Sequence, residues 1–130
     1  MSPRWLLRDL GVRVGPADAA RKVLVVGSIH GNEGAGIAVT KALRKATPPA
    51  GVQLLLIDRA NPDGSAAGTR SNARGVDLNR NFPWRWRHLG GVYYSGPRPA
   101  SEPETRALRQ WLAEAFPFEA PFYSNAEIPE

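Results

Sequence analysis

Apolar residues fall into runs of two different periods, separated by polar, glycine-rich stretches. KVLVVGSI (22–29) is a near-continuous β-branched run, the pattern of a strand buried on both faces. GNEGAGIAVTKALRKA (31–46) changes period: Ile37, Thr40 and Leu43, with Ala38 and Ala42, recur at helical spacing. Basic residues sit near the end of that run, where they oppose the helix dipole. TPPAG (47–51) breaks it. VQLLLIDRA (52–60) reads as a second buried strand, and NPDG (61–64) as a turn at its end. LGVRVGPADA (10–19) suits a short strand and a turn. SEPETRALRQWLAEAF (101–116) predicts a helix, with Ser101 and Glu104 at capping-box spacing, Pro103 in the first turn and an apolar stripe of Leu108, Trp111, Leu112 and Ala115.

Residues 65–100 show no period and are rich in Gly, Arg, Asn and Pro. So long an idle connection is unusual in a small domain, so function or partial structure is expected there. Strand, helix, strand, long loop and helix predict a single α/β domain over 1–130, a three-layer sandwich on a mixed, mostly parallel sheet. Ligands of such sheets bind beyond the carboxyl ends of strands. That places His30 and Glu33 at the tip of the first strand and Asn61 to Gly64 at the tip of the second.

Composition narrows the chemistry. The chain has no cysteine, which excludes disulfides and thiolate metal sites. A metal would have to be held by His, Asp or Glu. The net charge is +5 and the isoelectric point about 10.2, which suits an acidic partner. The arginines are spread along the chain without a block, as in ordinary surface charge, and no nucleic-acid partner is expected. WRWRHL (84–89) does have the stacking and basic residues of a single-strand binder. No leader-type or membrane-length apolar segment occurs, so a soluble, cytoplasmic chain is the default expectation.

Two constellations carry candidate chemistry. His30 and Glu33, three apart on a strand-to-helix turn flanked by glycines, can converge on one cation, and an imidazole with a carboxylate suits Zn²⁺. The pattern is short, and it equally suits a glutamate capping the next helix beside a hydrogen-bonded histidine. RSNARGVDLNRNFPW (70–84) interleaves Arg70, Arg74 and Arg80 with Asn72, Asn79 and Asn81, planar donors that fit a carboxylate or an oxyanion.

Taken together, GSIHGNEGAG, NPDG, RSNARGVDLNRNFP and SGPRPASEPETRAL resemble, in order and spacing, the zinc metallocarboxypeptidases. The resemblance runs from about residue 20 to about residue 112 and points to the bacterial branch that acts on murein peptides. It implies zinc as cofactor and a peptide with a free C-terminal carboxylate as substrate. His30 and Glu33 match two zinc ligands, and Arg70 the arginine that stabilises the oxyanion. Asn79 and Arg80 match the pair that grips the terminal carboxylate, while Asp77 and Asn81 are expected to shape the loop. The family pattern also calls for a second zinc-binding histidine and a distal glutamate base, and neither has a counterpart here. His88 comes too early and is expected on a surface loop. Glu119, Glu127 and Glu130 belong to an atypical tail, 117–130, expected to be solvated. The chain therefore reads as the N-terminal half of a carboxypeptidase domain. An aspartoacylase-like zinc deacylase and an inactive carboxylate-binding remnant are the alternatives.

Overall fold

The strand Val52–Ile57 (β3) is the one on which the others are laid. Residues 10–116 are described by the structure, a computed structural model of the chain, so the tail 117–130 and its three glutamates lie outside the described residues, as does the extreme N-terminus. Val12–Val14 (β1) pairs antiparallel with one side of β3, setting Val12 opposite Leu56 and Val14 opposite Leu54. Arg21–Val26 (β2) pairs parallel with the other side, in register from Arg21 and Val52 to Val26 and Ile57. A parallel neighbour requires a crossover, and the helix Ala35–Arg44 (α1) supplies it. The result is the expected α/β arrangement on a mixed sheet, in the order β1-β3-β2.

Burial differs between the two strands that the apolar pattern had made alike. Leu54 to Ile57 of β3 are buried throughout. β2 is half open: Val23 and Val26 are exposed, because β2 is the edge of the sheet among the described residues. β2 also ends at Val26, three residues earlier than its apolar run. Gly27 donates one more bond to Ile57 O (2.7 Å). Ala60 then donates to Gly27 O (2.9 Å) and Asn61 to Ser28 O (3.1 Å). The tips of β2 and β3 are thus stitched together where ligands bind in such sheets.

NPDG forms more than a turn. Pro62–Ala67 (α2) is a short helix with Pro62 in its first turn, and the Asn61 side chain accepts from Gly64 N at 2.9 Å. The residue types that mark turns are also those that cap helices. The last helix, Pro103–Ala115 (α3), buries Ala107, Leu108 and Trp111 against Leu55 and Ile57 of β3, with Phe82 of the long loop in the same cluster. Each large side chain so buried contributes about 1.5–3 kcal/mol. Arg13 of β1 lies 4.4 Å over the Trp111 ring and pairs with Glu114, which fastens the other sheet edge to α3.

The expected capping box is not formed. Glu102 is the N-cap of α3 and makes no side-chain capping bond. Ser101 and Glu104 are drawn to the long loop instead. Asn81 donates to Ser101 Oγ (3.0 Å), and Asn72 donates to Glu102 Oε1 (2.9 Å) and Glu104 Oε1 (3.3 Å). The start of α3 and the segment 72–81 are therefore one buried polar unit. Burial pushes the Glu104 carboxyl above its ordinary value, with the Glu102 charge adding to the shift and the Asn72 bond opposing it. A carboxyl whose folded value exceeds its unfolded one binds more protons when folded, so its contribution to stability is lost as pH rises through the folded value. Glu104→Gln, neutral at every pH, is expected to raise the melting temperature at pH 7 and to give no gain below the ordinary value of 4.5. Thermal melts across that range check this; a difference independent of pH counts against it.

Candidate active site

The chain leaves β2 through a strained corner. Ser28 has φ +52°, unusual for a residue with a side chain, and its hydroxyl donates to His30 O at 3.1 Å. The next contact is backbone on backbone. A Cβ built at Gly31 would overlap the main chain of Gly64, the second residue after Pro62 in α2. Gly31 N donates to Arg70 O (3.4 Å), and Asn61 Nδ2 reaches the same oxygen (3.4 Å). Glu33 N bonds back to His30 O at 3.1 Å, and this turn returns the Glu33 carboxylate to the imidazole, with Oε2 3.3 Å from Nδ1. Glu33 does not cap α1, whose N-cap is Gly34 with no side-chain bond.

Asp77 joins this tip to the arginine loop. It is wholly buried, accepts three hydrogen bonds and pairs with one further guanidinium nitrogen. Oδ1 takes His30 Nε2 at 2.9 Å and Asn79 N at 3.0 Å. Oδ2 takes Arg70 Nε at 3.0 Å, with Arg70 Nη2 in ion-pair contact at 3.0 Å. With Nε2–H donated to Asp77, the Nδ1 lone pair of a neutral His30 faces a carboxylate oxygen. Two acceptors at that distance repel unless a proton or a cation lies between them. The donors present therefore fit Zn²⁺ in kind, and a carboxylate behind the imidazole is the usual support of a metal-binding histidine. They do not fit it in number: among the described residues no group of three His, Cys, Asp or Glu is placed to hold a metal.

The remaining candidates divide. Arg70 and Arg80 share the ring of Tyr93, at 5.3 and 5.5 Å from its centroid. Asn79 is buried on the short 3-10 turn Leu78–Arg80, beside Asp77. Arg74 lies apart, 3.5 Å from Glu102. Asn81 shapes the loop as expected, donating to Ser95 O (2.8 Å) and Ser101. Asp77 does more than shape the loop, since it holds His30 and Arg70 at once. His88 is exposed and sits edge-on to Trp86 and Tyr94, and it joins no group of three metal donors among the described residues. Trp86 folds back onto the loop through a bond to Ser95 O (3.1 Å). Tyr93 escaped the sequence reading. No spacing rule links it to Arg70, and only a motif-by-motif comparison of relatives could have singled it out.

A sequence profile described as Zinc carboxypeptidase matches residues 50–126, more than half of the chain. The chain belongs to the zinc carboxypeptidase family. Arg70, Asn79 and Arg80 lie within the matched segment, while His30 and Glu33 precede it. Murein peptide amidase A of Escherichia coli K12 is 37% identical over 112 residues, covering 75% of this carboxypeptidase-family chain and 46% of the amidase. Among solved structures, murein-tripeptide amidase from Escherichia coli O157 superposes with a TM-score of 0.59 at 32% identity, over 73% of this chain and 45% of the other. Carboxypeptidase A from Helicoverpa armigera superposes with a TM-score of 0.64 at 25% identity, over 81% and 34%. The chain thus spans about half the length of the murein amidases it matches. Among the described residues no helix is long and apolar enough to cross a membrane.

The two glycines flanking Asn32 and Glu33 make a controlled pair. Gly31→Ala is expected to destabilise the chain by at least about 1–3 kcal/mol, because the main chain of Gly64 cannot yield as a side chain would. Gly34→Ala meets open space and ordinary backbone angles, and is expected to leave stability within about 0.5 kcal/mol. Denaturant unfolding of both variants tests the pair; equal losses would contradict the close approach.

Proposed function

We propose that this chain carries the zinc-holding strand tip and the carboxylate cradle of a carboxypeptidase that removes a C-terminal residue from a peptide. The observation that supports this most is the sharing of one buried carboxylate, Asp77, between His30 and Arg70. It sets a metal-type donor pair and a guanidinium on a common anchor. His30 Nδ1 and Glu33 would hold zinc, which when bound polarises a carbonyl and acidifies water. Asp77 fixes the imidazole so that Nδ1 stays free to ligate. Arg70, held by Asp77 along one edge of its guanidinium, stabilises negative charge that grows on the scissile carbonyl oxygen. A donor preorganised in this way is typically worth about 3–4 kcal/mol. Asn79 and Arg80 take the terminal carboxylate and so set which bond is cut.

A murein peptide is the favoured substrate, because the amidases that the chain resembles are named for that material. The aspartoacylase-like alternative finds no support among the matched proteins. Catalytic zinc usually has three protein ligands, so hydrolysis requires a third donor from outside residues 10–116. A chain lacking it would bind carboxylates without turnover.

Zinc titration by calorimetry tests the reading. One ion per chain is expected, with binding lost in His30→Ala and in Glu33→Gln, the latter at a largely exposed side chain whose loss leaves the fold intact. Asp77→Asn, which leaves both ligands in place, is expected to weaken binding by about 10–100-fold. Zinc bound equally well by all three variants would remove the basis of the proposal.

A further inference from the structure

Tyr93 lies close to two positive side chains. The guanidinium carbons of Arg70 and Arg80 lie 5.3 and 5.5 Å from its ring centroid, both within the ~6 Å reach of a cation–π attraction. The two cations are compensated differently. Arg70 is neutralised by Asp77. Arg80 has no carboxylate partner among the described residues, and its Nη1 donates to Asn79 O at a long 3.4 Å. Tyr93 is 49% exposed, so core burial does not account for its position.

The turn that presents Tyr93 is built into the site. Gly91 takes φ +64°, which opens the 3-10 turn Gly91–Tyr93, and Tyr94 N closes it onto Gly91 O at 3.1 Å. Asp77 N then donates to Tyr94 O at 2.8 Å. The residue that anchors His30 and Arg70 through its side chain thus anchors the Tyr93 turn through its backbone.

We propose that Tyr93 is a positioning residue: its ring holds the guanidinium of Arg80, which takes the terminal carboxylate, together with that of Arg70, which serves the oxyanion, so that the carboxylate seat keeps a fixed place relative to the oxyanion donor. This rests on the roles given to those arginines above. The ring attracts both cations. It also restrains Arg80, a long side chain that otherwise loses its freedom only when a ligand arrives.

The test uses the full 130-residue chain, with Arg70 and Arg80 followed through their Nε–H nuclear resonances and N-acetylglycine as the carboxylate probe. In Tyr93→Leu, without ligand, both resonances are expected to move away from their ring-shifted positions; in Tyr93→Phe they stay. N-acetylglycine affinity is expected to fall about fivefold in Tyr93→Leu and to stay within about twofold in Tyr93→Phe. N-acetylglycinamide, which lacks the carboxylate, is expected not to bind. Resonances unmoved in Tyr93→Leu overturn the clamp alone, as does a Phe variant that behaves like the Leu variant. A parent chain that ignores N-acetylglycine overturns the carboxylate reading on which the seat depends.

Discussion

A buried carboxylate with four donors around it is the constraint from which the site follows. Asp77 is wholly inaccessible, and an unpaired charge in such a place is among the costliest features a fold can contain. Its partners come from three parts of the chain: the β2 tip through His30, the start of the long loop through Arg70, and the next turn through Asn79 N. Losing any of them would leave part of the charge uncompensated. The geometry of His30 relative to Arg70 is therefore set by a single group rather than by the packing of two separate loops.

Asparagine side chains extend the same logic through the loop. Asn72 Oδ1 accepts from the backbone of Arg74 and Val76, both at 3.0 Å, while its amide reaches the two buried glutamates at the start of α3. Asn81 does the equivalent between Ser95, Ser101 and Glu102 N. These side chains serve as surrogates for main-chain partners. A stretch with only short 3-10 turns can thus hold Phe82 in the core and carry Arg70 and Arg80 beside Tyr93.

Periodicity made the regular elements legible: β3, α1 and α3 lie where their apolar patterns put them, and the fold class followed. Periodicity could not say that β2 would be an edge, since exposure of Val23 depends on what lies beside the strand. Ser101 and Glu104 had the spacing of a cap but serve the loop, because buried partners at Asn72 and Asn81 compete for them. The His30 and Glu33 pair, Arg70, Asn79 and Arg80 were candidates by residue type and motif order, and contacts through Asp77 and Tyr93 bring them near the β2 tip. The double use of Asp77 was not readable, nor was the place of Tyr93, because both depend on contacts between segments far apart in sequence.

The contact of Gly31 with Gly64 has an evolutionary corollary. Where two main chains touch without intervening side chains, neither loop offers a residue that could be exchanged to retune the spacing. Sequence drift in one segment cannot be absorbed by a matching exchange in the other. Lineages that descend from this scaffold should inherit the histidine turn and the first turn of α2 as a single frozen block, with change falling outside that contact.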